Sequence, residues 1–229
     1  MEKLKLDKIK KFIESKILYL KSSQGKRLLK LSLTSGTVAL VLIVVFYIYL
    51  NNVNKKTYEK YLQAQNLYLM NVEEQQNEEN GDFQQAIKLF EEVIGQRFWS
   101  GNKQEAFFYL ADSLFRLESY EESIQVLKEF EKKYPNSYFY SWAKLKSALI
   151  YEQMGNYQQA IQLYETIKEE YAQTFVAPEA FLGQARCQEF TGNKEEAIEI
   201  YQALISRYPL SSQAALAEAK LQYFNQEKG

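Results

Sequence analysis

Few side chains in this chain could carry bond chemistry. It has no histidine and one cysteine, Cys187. That removes the Ser–His and Cys–His nucleophile pairs, most metal-ligand sets and any intramolecular disulfide, and a lone thiol leaves the redox compartment open. Cys187 stands mid-helix between Arg186 and Gln188 and reads as a buried, inert thiol rather than a nucleophile. The pairs Glu91-Glu92, Glu121-Glu122 and Glu195-Glu196 fall on solvated helix faces and read as surface charge, not as acid–base pairs. No glycine-rich phosphate loop, metal-spaced cluster or basic groove interleaved with aromatics is present. The expectation is recognition without catalysis: no enzyme activity, no cofactor and no metal.

The elements that must position a recognition surface start from Leu31 to Asn54, twenty-four residues without a formal charge between Lys30 and Lys55. As a helix this stretch reaches roughly 36 Å, enough to cross a hydrocarbon core of about 30 Å once. Tyr47 and Tyr49 fall where an interfacial aromatic belt would lie. The stretch lacks the short apolar run and small-residue cleavage site of a secretory signal, and Cys187 is too far downstream for a lipoprotein anchor. Charge is split around it. Residues 1–30 carry ten Lys or Arg against Glu2, Asp7 and Glu14, or +7, which leaves −8 for the rest of a chain whose total is −1. That balance argues against nucleic acid as a partner. More cations precede the span than follow it, so the positive-inside rule places the N-terminus in the cytoplasm and the larger part outside. Residues 1–30 form a basic tail in which Leu6, Ile9, Phe12, Ile13, Ile17 and Leu20 share one helical face. Helix 2–21 would lie on an anionic membrane surface, or would serve as a solvated tail that fixes topology. Ser22-Ser23-Gln24-Gly25 ends it.

Beyond a helix from Lys55 to about Asn77, the chain repeats with a period of thirty-seven residues. Ala106, Ala143, Ala180 and Ala217 form one ladder, and Ala111, Ala148 and Ala185 a second; small residues there let helices approach closely. Gly81, Gly155 and Gly192 form a third, with Glu118 in the missing slot, where a left-handed turn would end one helix. Ser100, Ser137, Thr174 and Ser211 form a fourth, each able to cap the helix that follows. The second helix of each unit repeats as Ala86-Ile87-x-x-Phe90, Ser123-Ile124-x-x-Leu127, Ala160-Ile161-x-x-Tyr164 and Ala197-Ile198-x-x-Tyr201, a single apolar stripe. Tyr134, Tyr171 and Tyr208 close the units, with Pro135 and Pro209 stopping two of the helices. A stripe of this kind cannot bury itself within one hairpin, so hairpins must stack into a solenoid. The expected fold is all-α: a single N-terminal transmembrane helix (31–54), then an α-solenoid over 55–226 of about four units and a capping helix from Ser211 to Phe224.

The recurring glycine, aromatic, alanine, aliphatic and aromatic positions resemble the tetratricopeptide repeat family from about Lys55 to Phe224. The period exceeds the family's usual thirty-four, and Glu118 and Lys194 depart from its glycine and aromatic positions. The Tyr-Pro-x-Ser closures at Tyr134–Ser137 and Tyr208–Ser211 look like bacterial cell-envelope members. The architecture resembles the ancillary, chaperone-linked subunit of the protein-export translocon. The resemblance implies a groove lined by the first helices: Phe108, Asp112 and Phe115; Trp142, Leu145 and Leu149; Leu182, Arg186 and Glu189. Implied partners are translocon or envelope-assembly components and exported polypeptides, with membrane lipid through residues 31–54. The alternative is a structural scaffold of envelope assembly or division. A lysine–asparagine carboxylate clamp is not visible; Asn71 and Gln75 stand where part of one would sit.

Overall fold

A computed structural model describes residues 2–76, 83–97 and 101–226. Their regular structure is helical throughout, with no strand among the described residues. The chain divides into two units, Met1–Lys56 and Thr57–Gly229.

In the first unit α1 (Glu2–Lys21) is followed by the opening part of α2 (Ser23–Gln76). Ser22 makes the break. Its Oγ accepts the Gly25 N–H at 3.0 Å, as an N-cap does, and donates to the Tyr19 carbonyl at 2.6 Å. Gly25 is required by space, since a Cβ there would lie 1.9 Å from the Tyr19 oxygen. One helix among the described residues is long and apolar enough to cross a membrane, and its apolar window is not buried inside the protein. Val38, Leu42, Val45 and Ile48 are exposed. Phe12, Ile13 and Ile17 of α1 are likewise uncovered.

The second unit begins at Thr57 within α2 and continues through α3 (Gln84–Gly95), α4 (Lys103–Arg116), α5 (Tyr120–Lys133), α6 (Tyr140–Gln153), α7 (Tyr157–Glu170), α8 (Ala177–Phe190), α9 (Lys194–Arg207) and α10 (Ser212–Gln226). From α3 onward each helix packs on the next, and α6 and α10 also pack on α8, so the hairpins stack on one another. The ladders explain the packing. Ala106, Ala143, Ala180 and Ala217, and Ala111, Ala148 and Ala185, are all fully buried, where backbones come close. On the second helices Phe90, Leu127, Tyr164 and Tyr201 are fully buried, as are Val93, Phe130, Ile167 and Leu204 one turn on. Burial of each such side chain contributes about 1.5–3 kcal/mol, and the contribution recurs with every repeat. Ser123 takes an alanine position in this stripe and remains satisfied by donating to the Ala111 carbonyl at 2.6 Å. In the first hairpin the fully buried alanine of α2 is Ala64, upstream of positions 69 and 74 where the two ladders would fall, in a helix that runs on to Gln76.

The helix ends follow the third ladder. Gly155 (φ 74°), Gly192 (φ 84°) and Glu118 (φ 58°) are all left-handed. Each closes its helix with the paired bonds of a Schellman motif, as in Glu118 N–H to Phe115 O and Ser119 N–H to Leu114 O. A side chain in this conformation costs roughly 1 kcal/mol or more. Glu118→Gly is therefore expected to raise stability by about 0.5–1 kcal/mol, after allowance for the looser unfolded chain. Urea unfolding would check this, and a loss of stability would show that the Glu118 side chain does more than occupy the turn.

The fourth ladder behaves differently from its prediction. The helices start at Tyr140 and Ala177, three residues after Ser137 and Thr174, because a turn intervenes that is closed by main-chain bonds to Tyr134 and Tyr171. Ser137 Oγ accepts the Phe139 N–H within that turn, and Ser211 Oγ caps Ala214 at 3.1 Å. Thr174 instead donates to the Tyr171 carbonyl at 2.7 Å. Gly81 and Ser100 lie outside the described residues.

Candidate protein-binding groove

One face of the second unit is made by the first helices of the hairpins: α2 from Thr57, then α4, α6, α8 and α10. The residues expected to line a groove stand on α4, α6 and α8 and fall into three groups. Phe108 and Trp142 are half-buried and build an aromatic wall. The Phe108 ring centre is 4.4 Å from Trp142, 4.8 Å from Phe130 and 5.3 Å from Phe139. Leu145 and Leu182 are buried, and Leu149 packs half-buried in the core. These rings and chains hold neighbouring helices together, as residues in a solenoid wall must.

The second group surrounds Asp112. Its carboxylate accepts Tyr68 Oη and Arg116 Nε, both at 2.6 Å, and Lys146 Nζ at 2.5 Å. The Lys146 ammonium also lies 4.2 Å from the centre of the Phe115 ring. One carboxylate thus ties α2, α4 and α6. Burial alone would raise the Asp112 carboxyl, but the Lys146 charge and the three hydrogen bonds outweigh it and hold the group below its ordinary value. A carboxyl depressed by folding adds stability above its unfolded value, near pH 4, and loses it as pH falls further. Asp112→Asn is expected to cost about 1–2 kcal/mol at neutral pH. The gap to the parent should narrow towards pH 3; a gap that stays constant on acidification would contradict this reading.

The third group surrounds Arg186. Its guanidinium binds Glu152 through two parallel bonds, Nε at 2.8 Å and Nη2 at 3.0 Å, and reaches Glu179 at 3.3 Å. Tyr164 Oη donates to Glu152 at 2.7 Å. One repeat later the arrangement recurs: Tyr201 Oη donates to Glu189, which also accepts Lys220 Nζ at 3.0 Å. Burial, then the Glu152 charge and hydrogen bond, drive the Tyr164 phenol far above its usual range. Burial followed by the Glu152 charge pushes the Cys187 thiol up to about 12, so it stays protonated and unreactive at neutral pH, as its apolar neighbours require.

Leu182 and Arg186 meet Tyr201, Leu216, Ala219 and Lys220 around an open cleft of about 350 Å³ between α8 and α10. Beside it Arg186 and Glu189 meet Phe190 and Lys220 around a hollow of about 260 Å³. The cleft is walled by carbon and rimmed by cations that already hold carboxylates. It suits an apolar side chain from a partner segment, with polar contacts at the rim. Sequence reasoning missed Tyr68, Lys146, Glu152 and Lys220. The available signal was opposite charge thirty-four residues apart, as in Asp112 with Lys146 and Glu152 with Arg186, which is one repeat less one helical turn. Asn71 is buried, and the side chain of Gln75 lies outside the described residues. Among the described residues no group of acidic or cysteine side chains is placed to hold a metal ion.

Two tetratricopeptide repeat family models match, one over residues 78–138 and the other over 142–174 and 179–211, together more than half of the chain. The chain belongs to the tetratricopeptide repeat family. Tetratricopeptide repeats form protein-binding surfaces, which makes this a protein–protein interaction module. Among solved structures, the nearly identical TPR-like repeats of a protein assigned as a kinesin light chain of Podosopora anserina align at 18% identity, covering 72% of this chain and 90% of that one, with a TM-score of 0.52. A double mutant of MamA from RS-1 aligns at 15% identity over 74% of this chain and 96% of that one, with a TM-score of 0.50. At such identities the likeness extends to the fold. No curated protein matches the chain.

Proposed function

We propose that this protein is a single-pass, membrane-anchored and non-enzymatic interaction module. In this reading residues 31–54 form the anchor, with the N-terminus in the cytoplasm, and the repeats 55–226 form an extracytoplasmic groove that receives apolar protein segments. Helix 2–21 adds contact with anionic lipid. The observation that carries the binding role is the cleft of Leu182, Tyr201, Leu216 and Ala219 with its Arg186 and Lys220 rim, since an exposed carbon-walled hollow beside satisfied charges favours an apolar guest. An uncovered apolar helix at the start of the chain supports the anchor, and the excess of cations before it supports the orientation. Partners of this kind would be exported polypeptides or components of the translocon and of envelope assembly.

Two measurements test the reading together. Protease treatment of intact spheroplasts should digest a tag placed after Gly229; protection until lysis overturns the orientation. A photocrosslinker replacing Leu216, in the cleft, should then capture many transient protein clients, and one replacing Glu121, outside it, should not. A single stable adduct from Leu216 would favour a structural scaffold of the envelope instead. Equal labelling at both positions would remove the groove from the proposal.

A further inference from the structure

The second unit has two edges, one formed by the turns within hairpins and the other by the connections between them. Contacts along the stack fix which edge is which. Lys60 and Glu92 pair near the start of the unit. Ser137 bonds Gln104, and Gln213 bonds Glu179, so the first helices run parallel to one another. The connections 134–139, 171–176 and 208–211 therefore lie on the same edge as Thr57, the first residue of the unit.

Connections between helices are ordinarily polar, and this edge carries bare apolar side chains. Tyr138 is 77% exposed, Phe175 60% and Leu210 99%. Tyr138 and Phe175 hold the same place in successive repeats, and their rings stack at 6.4 Å over a hollow that Ser141, Tyr171 and Thr174 help to line. Neither ring is needed for the core. Exposed Lys132, Lys133 and Arg207 end the second helices on this edge, as do Glu169 and Glu170, whereas the opposite edge carries Glu118, Glu121, Glu122, Glu195 and Glu196 and one exposed ring, Phe190, which is stacked on Tyr157 at 5.0 Å. Complementarity to helix dipoles accounts for the charges; it does not account for the rings.

We infer that this edge is a lipid-contact surface, on which Tyr138, Phe175 and Leu210 enter the headgroup region of an anionic bilayer. Tyr138, with one apolar and one polar end, favours that layer, Phe175 and Leu210 bury carbon in it, and nearby cations favour anionic lipid. Three side chains would hold a free protein only weakly. The inference rests on the reading of residues 31–54 as a membrane span, which supplies the missing proximity. Only Lys55 and Lys56 separate the span from Thr57, so contact becomes an intramolecular event at high effective concentration.

The test uses the full chain with Cys187→Ala, reconstituted in phosphatidylcholine–phosphatidylglycerol vesicles. Single cysteines at Tyr138→Cys, Phe175→Cys and Leu210→Cys carry an environment-sensitive nitrobenzoxadiazole label, and Glu121→Cys and Glu195→Cys report the opposite edge. Val45→Cys reports the span. Headgroup-level nitroxide lipids should quench the three edge labels several-fold more than the Glu121 and Glu195 labels, with a blue shift in emission. If a deep nitroxide quenches the Val45 label while the edge labels respond like the Glu121 label, the lipid surface is overturned and the anchor stands. An unquenched Val45 label overturns both. Leu210 is so exposed that its variant cannot disturb packing, which keeps the result readable if the ring positions prove sensitive to substitution.

Discussion

Gly183→Ala should lower stability by about 2 kcal/mol, although alanine is the better helix former by about 1 kcal/mol. The reason is the ring that lies on it. A Cβ at position 183 would stand 2.3 Å from Cζ and 2.6 Å from Oη of Tyr164, well inside contact distance. Tyr164 is fully buried, and its hydroxyl donates to Glu152 at 2.7 Å. A rigid ring held at both ends cannot swing aside as a flexible chain would. Overpacking of this kind costs roughly 1–3 kcal/mol, and losing a hydrogen bond to a charged group adds about 1.5–3 kcal/mol if the ring is displaced. Urea unfolding of the second unit measures the sum. Tyr164→Leu should abolish the clash, so the double variant should be less destabilised than the two single changes added together. Unchanged or raised stability in Gly183→Ala alone would mean that the ring has room to move and that the helix gain prevails.

Gly183 also marks the limit of what the sequence discloses. The period of thirty-seven locates every fully buried alanine of the two ladders and the left-handed turn in which Glu118 stands, because backbone approach and helix termination depend on residue size and φ alone. Those are local demands, and they repeat. Gly183 belongs to no ladder, since the residues one repeat before and after it are Lys146 and Lys220. It compensates for a ring on another helix, and such a pair becomes visible only once the helices are set beside each other. The candidate groove is legible in its backbone positions, which follow from the repeat; of the residues assigned to it, Leu182 and Arg186 border the cleft between α8 and α10. Which side chains would remain available did not follow, because Tyr164 and Tyr201 read as members of an apolar stripe while their hydroxyls serve the carboxylates of Glu152 and Glu189. The first hairpin departs furthest. Its fully buried alanine is Ala64, in a helix that runs on to Gln76, and a fixed period cannot register such a shift.

The largest electrostatic effect should come from Glu152. Removing its side chain leaves the Arg186 guanidinium without the two bonds that hold it and the Tyr164 hydroxyl without an acceptor in a buried place. Breaking one side of a well-buried pair costs about 3–5 kcal/mol. The Arg186 side chain is 29% exposed, and water can reach part of it, so Glu152→Ala should fall nearer 3 than 5 kcal/mol. Arg186→Met keeps the apolar stem against its neighbours and should cost less, about 1–2 kcal/mol. A double-mutant cycle measures what the two share. The double variant should be more stable than the sum of the single losses predicts by more than about 1 kcal/mol, because the second removal abolishes a charge already left without its partner. Strict additivity would mean that water replaces the pair freely and that the bridge fixes no geometry. The cycle also bears on recognition. An Arg186 committed to Glu152 and Glu179 from two helices shapes the wall of the cleft, and a guest segment would have to compete with both carboxylates to claim it. Truncation of Arg186 would therefore change the fold of the groove and its chemistry at once. Leu216, exposed on α10 and free of any role in this network, separates the two: Leu216→Ala should leave unfolding within about 0.5 kcal/mol of the parent while weakening capture of an apolar client.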